Sequence, residues 1–246
     1  MPIALLSDIH ANLEALQACL AHARERGARR FAFLGDLVGY GADPAAVLDI
    51  VAEHAWRGAV VVKGNHDEAI SGPTQYLNEA AAAAIAWSRT VLSAAHLAFL
   101  DQLRLCVLEE PACYVHASAA APQRWDYVDS PGAAERSARA AGTAYTFSGH
   151  VHYQMLYGED ARGRMVGFEP RPGVVIPVRP RRAWLALVGS VGQPRDGNPA
   201  AAYAIADFES MSLTFHRVPY DHHAAARKVR AAGLPDSLAY RLERGA

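Results

Sequence analysis

Aspartate and histidine recur along this chain in a pattern suited to gripping cations. Asp8 and His10 stand two apart, and Asp36 follows a glycine. Asn65, His66 and Asp67 are contiguous, His116 ends an apolar run, and His150 and His152 stand two apart just past Gly149. Each group follows a short apolar stretch that reads as a strand. In α/β sheets the loops at the carboxyl ends of strands converge on one crevice, so side chains far apart in sequence can meet there. Residues two apart in extended backbone point the same way, which predicts that Asp8 with His10, and His150 with His152, each aim two ligand atoms at a shared point. One Asp-x-His or His-x-His alone is ordinary surface chemistry. Five of the 11 histidines at predicted strand ends is the feature that points to metal ligation and acid–base work. The other six, His22, His54, His96, His216, His222 and His223, read as solvated side chains. His222 and His223 beside Asp221 have no further ligand-type neighbours, so no metal site is expected there.

The elements that must position these residues read first as α/β. Residues 3–6, 31–34 and 59–62 are apolar runs suited to buried strands. Between them lie amphipathic stretches, one over residues 12–27 ended by Gly27, the next opened by Asp43 as N-cap and Pro44 at its first turn. Two crossovers are thus predicted. Residues 74–103 read as helical with a break near Ser93. Short strands then dominate, at 105–108, 112–116, 145–147, 155–157, 165–168, 174–178, 184–188, 203–208 and 213–218, in a mainly antiparallel arrangement. Helices over 221–232 and after Pro235 close the chain.

The length, 246 residues, suits one large domain or two small ones, and without internal repeats or a linker a single domain over 1–246 is expected. Hydrophobic residues at 51% and charged residues at 20% are enough to build a core, unlike a disordered chain. The formal net charge of -1 argues against a global footprint for nucleic acid or an acidic membrane. Apolar runs such as 80–87 fall short of the ~20 residues that span a bilayer. The first ten residues lack a basic stretch and Asp8 interrupts their apolar run, so the expected location is the cytoplasm. Cys19, Cys106 and Cys113, without C-x-x-C spacing, read as reduced, buried thiols.

The blocks resemble, in order, those of the calcineurin-like metallophosphoesterases, in particular the bacterial and archaeal predicted phosphodiesterases of that superfamily. D-x-H appears as Asp8 to His10, G-D as Gly35 with Asp36, G-N-H-D as Gly64 to Asp67, V-H as Val115 with His116, and G-H-x-H as Gly149 to His152. Residues 189–196 resemble the late G-S-V-G-Q-P-R-D segment, and Arg217 to Asp221 its tail. The resemblance implies a four-layer α-β-β-α sandwich with two facing mixed β-sheets. It implies two divalent metal ions, of manganese, zinc, iron or nickel. Asp8, His10, Asp36 and His152 would hold one, and Asp36, Asn65, His116 and His150 the other, with Asp36 bridging. Two such ions with two carboxylates leave a net charge of about plus two, attractive to a phosphate ester.

The implied reaction is hydrolysis of a small phosphodiester or nucleotide by a metal-bound hydroxide, with a diester favoured over a monoester. His66 resembles the family's non-ligand histidine, placed to protonate the departing alkoxide or stabilise charge on the transferring phosphoryl group. Asn12 and Asp67 are candidates to orient the ligands, and Arg195 to meet substrate phosphate. Related phosphoprotein phosphatases carry an Asp-Arg pair after the G-D block, whereas here Asp36 runs into Leu37, Val38, Gly39, Tyr40 and Gly41. Protein phosphatase activity is therefore not expected, and the carboxylate that orients the catalytic histidine there is missing at position 39. Two alternatives remain at this point: a non-enzymatic scaffold or binding module on the same fold, and a nuclease using Arg171, Arg179, Arg181 and Arg182. Partners are expected to be a small phosphate ester rather than nucleic acid or membrane.

Overall fold

The computed structural model describes residues 1–75 and 77–246. The first strand, β1 (Ile3–Leu6), lies between β2 (Arg30–Phe33), parallel to it, and β11 (Ala201–Asp207), antiparallel to it. β3 (Val60–Val61) extends the parallel side, and β12 (Ser212–Val218) and β9 (Val175–Pro177) the antiparallel side, in the order β3-β2-β1-β11-β12-β9. A second six-stranded sheet runs β4-β5-β6-β10-β7-β8. Its strands are β4 (Cys106–Glu109), β5 (Ala112–Val115), β6 (Tyr145–Ser148), β7 (Gln154–Glu159), β8 (Met165–Phe168) and β10 (Trp184–Val188). Here β5, β6 and β10 are mutually parallel and the flanking pairs antiparallel. Both sheets are mixed, as expected.

Alternation along β1 shows why two layers of core form. Ile3 and Leu5 point between the sheets, where they meet Leu34, Tyr114, Phe147, Val188 and Phe215. Ala4 and Leu6 point outward to the helix layer formed by α1 (Leu13–Glu25) and α2 (Pro44–Trp56). All four residues of β1 are fully buried. On the outer face of the second sheet, α6 (Pro131–Ala141) covers Tyr157, Leu185 and Leu187. The result is helices outside, two sheets inside. α4 (Glu79–Val91), α7 (His222–Ala231) and α8 (Asp236–Arg244) pack on one another around Tyr40. Among the described residues no helix is long and apolar enough to cross a membrane.

Several local expectations change. The break expected near Ser93 is present, separating α4 from α5 (Ala94–Gln102), and Ser93 caps the second helix through its Oγ, which accepts from the His96 N–H. The first begins later than expected, because the Asn78 side chain accepts the Ala81 N–H at 3.0 Å and ends the preceding loop. Position 76, inside that expected helix, lies outside the described residues. Two helices were not anticipated. One is α3 (Asn65–Ser71), opened by the G-N-H-D block itself, and the other is α6. His54 and His216 are buried rather than solvated, His54 against the rings of Phe31 and Phe33 and His216 stacked on Tyr203. The cysteines are free thiols, with Cys106 half-buried rather than buried and its Sγ 3.4 Å from Cys113 Sγ.

Candidate metal centre

The carboxyl ends of β1, β2, β3, β5 and β6 meet at one edge of the sandwich, and the expected ligand residues stand there. Asp8 and His10 follow β1, Asp36 follows β2, Asn65 opens α3 after β3, His116 follows β5, and His150 and His152 follow β6. All seven are buried. Their ligand atoms fall into two groups that share Asp36: Asp8, His10, Asp36 and His152 in one, Asp36, His116 and His150 in the other. In the first, His152 Nε2 is 3.2 Å from Asp8 Oδ1 and 3.2 Å from His10 Nε2, which is 3.6 Å from Asp36 Oδ2. In the second, His116 Nε2 is 3.4 Å from Asp36 Oδ2, 3.1 Å from His150 Nδ1 and 3.2 Å from Asn65 Oδ1.

The backbone reaches these positions by turning, not by extending. Asp8, His10, Asp36, His150 and His152 all have positive φ, between 49° and 69°. Residues two apart are therefore not held in extended backbone: Asp8 and His10 still reach one group, but His150 and His152 turn to different ones. Left-handed backbone is costly for side chains with a Cβ, on the order of 1 kcal/mol each, and tends to persist only where surrounding contacts over-determine it. Those contacts are visible. Asp8 N–H donates to Gly35 O, His10 N–H to Asp36 O and Ala11 N–H to Leu37 O, lacing the loop after β1 to the loop after β2. From the other side, Ser190 Oγ and the Gly192 N–H donate to Asp8 O, which gives the G-S-V-G-Q segment its place.

Three ligand-type histidines have their tautomer set by the main chain. Nδ1 of His10 donates to Val38 O, Nδ1 of His116 to Leu34 O, and Nδ1 of His152 to Gln193 O. Their Nε2 atoms therefore face inward, toward carboxylate oxygens and toward each other. Among the described residues the Asp8 Oδ1 has no hydrogen-bond partner, nor does Nε2 of His150. A buried set composed almost wholly of acceptors is unfavourable by itself and fits divalent cations.

Charge state agrees with that use. Burial works to raise Asp8 and Asp36, but the facing histidines outweigh it and hold both carboxyls below the usual range. Burial, reinforced by His116, lowers His150 to about 3, and burial holds His10 well below its ordinary value. Burial also works to lower His116, but the Asp36 charge and hydrogen bond overcome it and raise it to about 9. A cation at His116 Nε2 would have to displace that proton, so binding there competes with protonation.

His66 is buried beside this cluster, its Nε2 4.0 Å from Asp36 Oδ2 and its Nδ1 without a partner among the described residues. Burial lowers its pKa, so its ring is neutral at pH 7. The backbone N–H of His66 donates to Asp36 Oδ1 at 2.8 Å. Gly39, with φ at 84°, leaves room for the ring, since a Cβ there would collide with His66 Nδ1. Asp67 accepts from the N–H groups of Leu37 and Val38 at Oδ1 and of Gly64 at Oδ2, tying the second and third loops together. Burial and the Asp36 charge push it up to about 7 against those amides. Asn12 caps α1 and donates to Gly192 O and Tyr220 Oη. Arg195 donates to Tyr40 Oη at 3.4 Å and to Gln193 Oε1 at 3.2 Å.

Over the cluster opens a cavity of about 320 Å³, lined among others by His66, Tyr40, Trp125, Tyr127 and Arg195. A larger one of about 600 Å³ adjoins it, with Arg195 in the wall of both. Three aromatic residues at the site escaped the sequence reading. Tyr40 packs its ring on His10 and His66, at 4.5 and 4.6 Å, and its only signal was an aromatic residue between two glycines after Asp36. Trp125 and Tyr127 lie in a polar connection after β5, where two large rings had no apparent core to join.

The sandwich, with paired acidic and histidine clusters at its strand ends, defines a phosphoesterase fold, and comparison with known proteins agrees. The family model for the calcineurin-like phosphoesterase superfamily domain matches residues 1–211. The chain therefore belongs to the calcineurin-like phosphoesterase superfamily. It is 34% identical over 246 residues to an uncharacterized protein from Methanocaldococcus jannaschii, covering 98% of this chain and 96% of that one. The crystal structure of a metallophosphoesterase from Sphaerobacter thermophilus is 35% identical, with a TM-score of 0.89 and 100% of each chain covered. A protein from Pyrococcus horikoshii OT3 shares the fold at 19% identity, with a TM-score of 0.81 over 100% of this chain and 98% of that one.

Proposed function

We propose that this chain hydrolyses a small phosphodiester or a nucleotide with two divalent cations held at the shared cluster. The observation that carries the reading is the convergence of ligand-type atoms on Asp36, with the outward Nδ1 atoms of His10, His116 and His152 spent on backbone carbonyls. Asp8, His10, Asp36 and His152 hold the first cation. Asp36, Asn65, His116 and His150 hold the second. Cations there would supply Lewis acidity toward phosphoryl oxygens and make a water acidic enough to ionise near neutral pH.

His66 is the catalytic side chain in this reading. We assign the proton of its neutral ring to Nε2, the nitrogen nearer Asp36, from which it donates to the oxygen that gains charge as the ester bond breaks. Asp67 is a positioning residue, holding the loops of Asp36 and His66 by its three backbone hydrogen bonds. Asn12 acts further out, fixing Gly192 against the loop of Asp8. Arg195 meets a phosphoryl oxygen from the cavity wall. A diester fits better than a monoester because the second negative charge of a monoester calls for another cationic group. The remaining arginine of this wall, Arg124, faces Asp126 at 3.4 Å.

Turnover of bis(p-nitrophenyl) phosphate and p-nitrophenyl phosphate with added manganese tests the proposal. Faster hydrolysis of the diester is expected. Two bound ions with neither ester consumed would sink the hydrolase reading, and a faster monoester would sink the preference.

A further inference from the structure

The connection between β5 and α6 places two large aromatic rings over the second ligand group. After a 3-10 turn over Pro122–Arg124, Trp125 adopts φ 57° and ψ 32°, left-handed backbone that bulky side chains seldom take. Among the described residues the other non-glycine positions with positive φ are Asp8, His10, Ala11, Asp36, Tyr40, His150, His152 and Met211, and all but Met211 belong to the ligand loops. Trp125 thus shares a backbone feature of the centre without offering a ligand atom. That conformation turns its ring to 5.9 Å from His116, edge to face. Two residues on, the Tyr127 ring lies nearly parallel to His150 at 4.3 Å, yet remains 54% exposed. Tyr40, Leu77 and Ala81 line the same cavity.

Two aromatic rings thus stand in the cavity wall adjacent to the groups that would hold the reacting phosphate. An exposed tyrosine and a half-buried tryptophan give little to the core. They give a planar partner a π surface at small cost in side-chain freedom. We propose that Trp125 and Tyr127 stack a planar heteroaromatic group carried by the ester, so that the substrates of this site are nucleoside phosphates rather than aliphatic ones. The proposal rests on the phosphoesterase reading for the position of the phosphate.

The test is equilibrium binding to the full-length manganese-loaded protein, by calorimetry, of adenosine 5′-monophosphate and glycerol 3-phosphate. Both present the same phosphate group, and only one has a base. About tenfold tighter binding of the adenosine ligand is expected, in line with the usual gain from stacking one base on an aromatic side chain. Trp125→Leu should bring the ratio of the two affinities toward one. Trp125→Phe, which keeps a ring, should retain most of it and controls for damage to the loop. Equal affinities in the unaltered protein, a ratio untouched by Trp125→Leu, or binding of neither ligand would overturn the proposal. Hydrolysis of bis(p-nitrophenyl) phosphate without adenosine preference sinks the stacking wall alone. Adenosine preference without hydrolysis of any ester sinks the hydrolase reading and leaves the wall.

Discussion

His10 and His152, 142 residues apart in the chain, face each other Nε2 to Nε2 at 3.2 Å. Each has committed its Nδ1 to a backbone carbonyl, Val38 O or Gln193 O, so the two Nε2 atoms face one another across a buried gap. Asp8 Oδ1 stands 3.2 Å from the second of them. Such an arrangement is repulsive until a positive charge sits within it.

Metal content follows from that geometry. Purified protein incubated with manganese should carry two ions per chain by elemental analysis, and a chelator should lower its melting temperature, because binding confined to the folded state adds stability. Asp36→Asn removes the charge shared by both groups and should leave fewer than one ion, with activity down by about 100-fold or more. A full complement of two ions in this variant would contradict the bridging role.

His66→Ala should leave the metal content intact and lower kcat by about 100-fold or more, with KM little changed, because the lost interaction belongs to the transition state. The leaving group offers a finer check. A p-nitrophenolate departs readily without a hydrogen bond to its oxygen, so the loss should be smaller with that ester than with an alkyl one. Equal losses on both esters would point away from the leaving oxygen.

Gly39→Ala tests the space beside that ring. The new Cβ would run into His66 Nδ1, and φ at 84° disfavours any side chain. The expected outcome is destabilisation by about 1–2 kcal/mol, roughly 2–8 °C in melting temperature for a chain of this size, together with a lower kcat from a displaced His66. Unaltered kcat would show that the ring has no fixed position to lose.

A cluster away from the metal centre sets an acid limit on stability. Burial, with the charges of His22 and Arg26, lowers His216 to about 4. The unfolded chain binds this proton near pH 6.5 and the folded chain only near pH 4, so stability is full above 6.5 and falls as pH drops through that window. His22, lowered mainly by burial, acts in the same direction. Urea unfolding should lose about 1–2 kcal/mol between pH 7 and pH 5 from His216, allowing for solvent screening. His216→Gln should flatten that part of the profile. An unchanged slope would remove His216 as the cause.

Strands were easier to read than helices, and the site easier than its walls. The runs at 3–6 and 184–188 match β1 and β10 residue for residue, because near-continuous apolar stretches mark strands covered on both faces. The helix α6 went unseen because its buried face is Ala133, Ala134, Ser137, Ala138 and Ala141, small residues that hardly stand out in a hydrophobicity pattern. The seven residue, G-N-H-D-led α3 is too short for periodicity to show.

The amino-acid order by itself determined which carboxylates, imidazoles and amide were available and placed each at the end of an apolar run. Those are local facts, written in residue type and spacing. The left-handed turns that carry His150 and His152 to their two groups, the place of the His66 ring against Gly39, and the turn of Trp125 over His116 were decided by the tertiary structure alone. They depend on left-handed backbone held in place by hydrogen bonds between loops distant in the chain, and no periodicity encodes such contacts.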